Sequence, residues 1–91
     1  MSPSTLAELQ DEMAAAENRI QIAEGALAPI IANLEKQGQR LNSDTLAAMG
    51  RMKSMLAKGQ QDMANGDAAA AKESFRIART YADRVLKSVG R

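Results

Sequence analysis

TLAELQDEMAAAENRIQIAEGALAPIIANL, residues 5–34, is the stretch that determines the fold of this chain. Its apolar positions recur at alternating spacings of three and four: Leu6, Leu9, Met13, Ala16, Ile20, Ala23, Leu27, Ile30 and Leu34. This heptad pattern is typical of a long helix whose apolar stripe packs on other helices, as in a coiled coil or a helical bundle. We therefore predict a long first helix with coiled-coil-like packing.

Pro29 is the residue that conflicts with this helix. Proline donates no backbone hydrogen bond, and its ring crowds the carbonyl four residues earlier, which belongs to Gly25. Because the heptad phase continues past Pro29, we predict one kinked helix over about residues 5–37, beginning with a capping box at Thr5 and Glu8. The alternative is two helices, with Pro29 in the first turn of the second.

Two shorter helices are predicted to follow. The residues 42–44, Asn-Ser-Asp, supply an N-cap for a helix over about 44–65. Gly66–Asp67 is a compact turn whose glycine can adopt the left-handed conformation and whose aspartate can cap a third helix over about 67–89. Short connections make consecutive helices antiparallel. We predict a single all-α domain over residues 1–91, an antiparallel three-helix bundle.

The composition argues against catalysis. Cysteine and histidine are both absent, which removes disulfides, thiolate nucleophiles, the usual zinc sites and the side chain that titrates near neutral pH. The acidic group Glu8, Asp11 and Glu12 is better explained by the favourable placement of negative charge at a helix N-terminus than by metal binding. We expect no enzymatic activity, no metal and no cofactor.

Neither a secretory signal nor a membrane span is recognisable in the sequence. The N-terminus leads directly into an acidic amphipathic stretch, and no apolar run approaches the roughly 18 residues that a membrane helix needs. The default expectation is a cytoplasmic protein, with a domain cut from an exported precursor as the alternative.

The two halves of the chain carry opposite charge. Residues 1–35 contain six acidic side chains and one basic side chain, Arg19. Residues 36–91 contain eleven Lys or Arg side chains against five Asp or Glu side chains. This complementarity favours packing of one half on the other, within one chain or between two copies.

The predicted helices differ in length, and this difference predicts self-association. The first helix would span about 50 Å, whereas the other two would each span about 33 Å. If the second and third helices cover the C-terminal part of the first, its opening turns remain uncovered, with Leu6, Leu9 and Met13 on their surface. Apolar residues exposed in a row favour a partner. We predict a homodimer that buries these three residues, or contact with another protein.

Two further surfaces are candidates for binding. Met52 and Met55 lie on a methionine-rich stripe that can fill the core or adapt to a protein partner, with Ile77 and Tyr81 as rim contacts. The third helix presents a basic side, formed by Lys72, Arg76, Arg79 and Lys87, which could contact nucleic-acid phosphates. No aromatic residues interleave with these cations for base stacking. A solvated face that complements the acidic first helix is the preferred interpretation.

Residues 52–85 resemble a single tetratricopeptide repeat. The resemblance rests on Gly59 in the first helix, Gly66–Asp67 at the turn, and Ala71, Phe75 and Ala78 along the second helix. The sequence departs from that pattern at three positions: Met55, Asp62 and Asp83 stand where a large aromatic residue, a tyrosine and a proline are common. No second repeat follows the 34-residue period. The resemblance implies a helical hairpin that binds peptides or proteins and carries no chemistry.

Overall fold

The computed structural model describes residues 1–89, which form three α-helices: α1 (Pro3–Lys36), α2 (Ser43–Ala64) and α3 (Ala68–Val89). The predicted all-α three-helix bundle is confirmed, and no strand occurs in this part of the chain. Each helix begins and ends within two residues of its predicted bounds. Residues 90 and 91, which the predicted domain included, lie outside the described range. None of the three helices is long and apolar enough to cross a membrane.

The N-terminus of α1 is capped by Ser2 and not by the predicted box at Thr5 and Glu8. The Ser2 hydroxyl oxygen accepts a hydrogen bond from the backbone N–H of Thr5 at 3.2 Å. Pro3 occupies the first turn, where its fixed φ fits the helix and its missing N–H costs nothing. The capping-box prediction was wrong because serine and proline together start the helix earlier than the box would.

α1 is continuous through Pro29, so the prediction of one helix is confirmed over the two-helix alternative. Pro29 and Gly25 are both exposed, and water can therefore solvate the carbonyl that lacks its usual partner. Gly38, whose φ is 70°, follows the helix in the left-handed conformation. At this end the N–H of Gln39 donates to the carbonyl of Leu34 at 2.8 Å, which satisfies one of the last carbonyls of α1.

Local signals set the connections as predicted. The side-chain oxygen of Asn42 accepts from the N–H of Thr45 at 2.8 Å and caps α2. Gly66 has a φ of 77°, and a carboxylate oxygen of Asp67 accepts from the N–H of Ala70 at 3.1 Å. This short turn makes α2 and α3 an antiparallel hairpin.

The core lies along one seam where all three helices meet. α3 contacts both of the other helices extensively, and α1 contacts α2 less. The apolar residues buried there are Leu9, Ala16, Ile20, Ala23, Leu27, Ala48, Met52, Ala71, Phe75, Ala78, Ala82 and Val85. Five of them come from the predicted heptad stripe of α1. The pattern therefore identified the face of α1 that the hairpin covers.

The hairpin covers the N-terminal part of α1, which corrects the predicted location of the overhang. The molecule is 51 Å long, about the length of α1 alone. Near the start of α1, Glu12 pairs with Arg79 at 2.9 Å, and Gln60 approaches the sulfur of Met13 at 3.9 Å. Leu9 is only 2% exposed. From Leu9 onwards, α1 is thus packed within its own chain, whereas Leu6 in the first turn is exposed.

The three residues predicted for self-association consequently have different surroundings. Leu9 is in the core, Met13 is half-buried against it, and Leu6 is 40% exposed. The connection between α1 and α2 has six residues, and α2 begins beside about residues 30–34 of α1. α2 runs back along α1, so that α3 begins beside the first turns of α1. An interface centred on Leu9 is therefore not available on the folded subunit.

Candidate interaction surfaces

The last nine residues of α1, 28–36, lie where α2 and α3 cover the helix least, and we call them the α1 overhang. No residue in the overhang is buried, whereas Leu27 immediately before it is 1% exposed. Ile30, Ile31 and Leu34 are half-buried. The heptad stripe thus continues into a region where the chain supplies less cover.

The α1 overhang carries no charge before its last two residues, Glu35 and Lys36. Between Glu24 and Glu35 the sequence has no ionisable side chain. Leu46, in the first turns of α2 at the same end of the bundle, is 46% exposed, and Leu41 in the connection is half-buried. Large apolar residues and an absence of charge together distinguish this end from the rest of the molecule.

The methionine stripe is mostly core. Met52 is fully buried, so its predicted role as a partner contact is wrong: the face of α2 that carries it points at α1 and α3. Met55 is half-buried and packs against the core. Ile77 and Tyr81 of α3 are also half-buried, and their role as rim contacts stays a prediction.

The basic side of α3 is partly neutralised by carboxylates of the same chain. Arg76 forms a two-point ion pair with Glu73, which lowers the pKa of the Glu73 carboxyl and raises the pKa of Arg76. Arg79 pairs with Glu12 of α1 at 2.9 Å. Lys72 and Lys87 are exposed and have no ion pair within residues 1–89. Of the four residues predicted to contact phosphates, Lys72 and Lys87 are therefore the two without an ion pair among residues 1–89.

Ion pairs also connect α1 to the hairpin at other levels. The Glu24 carboxylate forms an ion pair with the ammonium of Lys53 from α2 at 2.8 Å. The Arg19 guanidinium forms an ion pair with the carboxylate of Asp83 from α3 at 3.0 Å. These side chains are about half exposed, so each pair contributes little to stability. Through these pairs, charged side chains of α1 and of the hairpin neutralise one another within one chain.

A buried polar contact joins α2 to α3. The Ser74 hydroxyl, on a residue only 2% exposed, donates to a carboxylate oxygen of Asp62 at 3.0 Å. Lys58 donates to the same oxygen at 2.9 Å. The lysine bond chiefly, and the serine bond secondarily, lower the pKa of Asp62 against the opposing effect of desolvation. All of these polar groups are satisfied, which favours a structural role.

Two hydrogen bonds fix the antiparallel register of α2 and α3. Ser74 meets Asp62 near the turn, and at the other end the hydroxyl of Thr45 approaches that of Ser88 at 3.5 Å. This register places residue 51 of α2 at the same level as residue 84 of α3. Both residues are arginines.

A shallow groove runs between α2 and α3, and we call it the outer groove. Its volume is about 360 Å³, and none of its lining residues comes from α1. Arg51 and Arg84 line it together with Tyr81, and the guanidinium carbon of Arg84 lies 4.9 Å from the centre of the Tyr81 ring. Sequence reasoning identified Tyr81 but missed the two arginines, because their proximity depends on the register between two helices.

Residues 1–89 contain no group of three or more acidic side chains that could hold a metal ion. Comparison of the chain with protein-family models, with curated proteins and with solved structures finds no match. The kinship with tetratricopeptide repeats accordingly stays a prediction, although Gly59 does lie directly against Phe75.

Proposed function

We propose that this chain is a non-catalytic assembly module whose α1 overhang packs against the same segment of a second copy. The observation that carries the proposal is the uncharged stretch of residues 25–34 at the end of the bundle that the hairpin covers least. The predicted self-association is retained, but its site is at the opposite end of α1 from Leu6.

The apolar stripe supplies the driving force for this association. Leu27 is buried under the hairpin, whereas Ile30 and Leu34, the next heptad positions, are only half-buried. Beside the α1 overhang, a helix from another molecule can take the position that α3 takes beside the earlier part of the stripe. Each Å² of apolar surface removed from water contributes about 25 cal/mol.

A second copy fits this surface because residues 25–34, at its centre, carry no charge. In a twofold interface the same patch meets itself, so charged residues at its centre would bring like charges together. No such residue lies between Glu24 and Glu35, and Glu24 is held by Lys53 of its own chain. The acidic and basic halves also neutralise part of each other within one subunit, as in the Glu12–Arg79 pair.

The size of the surface predicts a weak dimer. The α1 overhang is about 13 Å long, and a standard interface buries about 800 Å² on each partner. The interface must therefore also include Leu41 and Leu46, which lie at the same end. We expect a dissociation constant in the micromolar range or above, because a small interface must still offset the entropy cost of association.

Sedimentation equilibrium from low micromolar to millimolar concentration tests the proposal. The native chain should change from monomer to dimer over this range. The double substitution Ile30→Asp with Leu34→Asp should remain monomeric, because dimerisation would then bury four carboxylates. Leu6→Asp is the matched control: it adds a carboxylate at an exposed apolar position of the same helix, and it should dimerise like the native chain.

Two results would overturn the proposal. One is a native chain that is monomeric throughout the range. The other is loss of dimerisation in Leu6→Asp together with its retention in the double variant, which would put the interface at the opposite end. Circular dichroism spectra of all three proteins establish that each is folded.

A further inference from the structure

Arg51 and Arg84 line the outer groove at the same level of α2 and α3, and neither has an acidic partner among residues 1–89. In contrast, Arg19, Arg76 and Arg79 are each paired with a carboxylate. Two like charges at one level of a groove repel each other, and an anion between them converts this repulsion into attraction.

The arrangement of Arg84 suits the recognition of a carboxylate. Its guanidinium lies over the ring of Tyr81, 4.9 Å from the centroid, and this contact holds the side chain against α3. The Arg84 guanidinium forms no ion pair within residues 1–89, so its N–H groups are available to a ligand. A guanidinium edge presents two parallel donors that match the two oxygens of a carboxylate.

The other end of the outer groove has the opposite hydrogen-bonding character. Asp44 lines it with an exposed carboxylate. Ser88 also lines it. Its hydroxyl donates to the carbonyl of Val85 at 2.7 Å and accepts from the hydroxyl of Thr45 at 3.5 Å, so one oxygen lone pair remains for a ligand. The groove thus combines donors at the arginines with acceptors at Ser88, about one helical turn from Arg84, and at Asp44, about two turns from Arg51.

This polarity discriminates between classes of anion. A polyanion such as nucleic acid, or a phosphate dianion, would be repelled by Asp44 within the same groove. A polypeptide can place one carboxylate on the arginines and backbone N–H groups beside the acceptors. The small side chains of Ala47 and Ala48 line the groove between the two ends and leave room for an extended backbone.

We infer that the outer groove binds an acidic segment of a partner polypeptide, with a carboxylate held between Arg51 and Arg84. This site is separate from the α1 overhang, because α1 contributes no residue to the groove. Leu46 of the proposed dimer interface lies between the lining residues Thr45 and Ala47, so peptide binding is measured at low micromolar chain, where the dimer is dissociated.

Tyr81 provides a direct measurement of binding. It is the only tyrosine, and the chain has no tryptophan, so tyrosine fluorescence reports on this groove alone. The probe is the peptide Ala-Ala-Glu-Ala-Ala with blocked ends, and its Gln counterpart is the neutral reference. We expect a saturable change in fluorescence with the Glu peptide at high micromolar concentration, and none with the Gln peptide.

Substitutions then separate the groove from general charge attraction. Arg51→Gln with Arg84→Gln should weaken peptide binding at least about tenfold, because both charge-assisted contacts are lost. Lys72→Gln with Lys87→Gln removes the same net charge at exposed positions outside the groove, and it should bind like the native chain. Because the arginine changes alter the surroundings of Tyr81 directly, NMR shifts of the Ala47 and Ala48 methyl groups measure peptide binding to each variant independently.

The inference is wrong if the Glu and Gln peptides bind equally, if no saturable change occurs up to millimolar peptide, or if the lysine variant loses as much affinity as the arginine variant. Titration with inorganic phosphate and with a short single-stranded DNA is the remaining arm. Tighter binding of either one than of the Glu peptide would replace the acidic polypeptide with a phosphate ligand.

Discussion

Phe75 occupies the space that a side chain at Gly59 would need. A Cβ atom built on Gly59 would lie 2.6 Å from Cδ1 and 2.9 Å from Cζ of the Phe75 ring, and Phe75 is fully buried. Real Cβ atoms essentially never approach a neighbour this closely. The absence of a side chain at Gly59 is therefore what allows α2 to pack tightly on the largest residue in the core.

Gly59→Ala should destabilise the protein. The new methyl group must displace the Phe75 ring, and overpacking of this kind costs about 1–3 kcal/mol, which exceeds the gain of about 1 kcal/mol from replacing a helical glycine. Gly50→Ala is the matched control, because Gly50 lies in the same helix and a Cβ atom there would have no neighbour within 4 Å. It should stabilise by about 0.5–1 kcal/mol. Urea denaturation of both variants measures the difference, and equal shifts in the same direction would contradict this account.

Leu9→Ala and Leu6→Ala should differ widely in their effect on stability. Leu9 is 2% exposed and belongs to the core, so its truncation should lower the free energy of unfolding by about 2–5 kcal/mol. Leu6 is 40% exposed, and its truncation should change that free energy by no more than about 0.5 kcal/mol. Thermal unfolding measured at low concentration, where association is negligible, tests both. Comparable losses in the two variants would show that the first turn of α1 is covered as well.

The helices and their connections could be predicted from the sequence because the capping and turn residues that define them act locally. Asn42 and Gly66–Asp67 act on the backbone within a few residues, and they predicted the start of α2 and the turn before α3. The position of the hairpin along α1 could not be obtained in this way. A heptad stripe looks the same after a shift of seven residues, so its period identifies the buried face but not the buried segment.

The interaction surfaces depend on that same register between helices. The sequence places the uncharged stretch 25–34 on α1, but its exposure follows only from where α2 and α3 lie. Arg51 and Arg84 are far apart in the chain. They line the same groove because the register that brings Thr45 beside Ser88 also places the two arginines at one level. Contacts between helices, which no short motif encodes, therefore determine both candidate surfaces.

The Glu12–Arg79 pair should couple α1 to α3 only weakly. Both side chains are about one-third exposed, 27% and 34%, and pairs of this kind contribute about 0.2–1 kcal/mol. A double-mutant cycle with Glu12→Gln and Arg79→Gln should give a coupling energy in that range, and it should fall at high salt because solvent ions screen the pair. The control cycle combines Glu12→Gln with Lys87→Gln, whose lysine has no partner within residues 1–89, and it should give no coupling. A larger, salt-independent coupling for Glu12 and Arg79 would contradict the assignment of a surface pair.

Asp62 should contribute stability at neutral pH that is lost in acid. Its pKa is lowered in the folded chain, chiefly by the hydrogen bond from Lys58 and then by that from Ser74. The folded state therefore favours the charged carboxyl more than the unfolded state does, and the contribution is present above the unfolded pKa of about 4 and disappears as pH falls through the lower folded pKa. Ser74→Ala removes one donor, and it should bring the pKa of Asp62 closer to its ordinary value and reduce the loss of stability on acidification. NMR titration of the Asp62 carboxyl carbon in both proteins measures the shift directly. An Asp62 pKa in Ser74→Ala equal to that in the native chain would show that Lys58 alone sets it, whereas Asp62→Asn should abolish this part of the pH dependence.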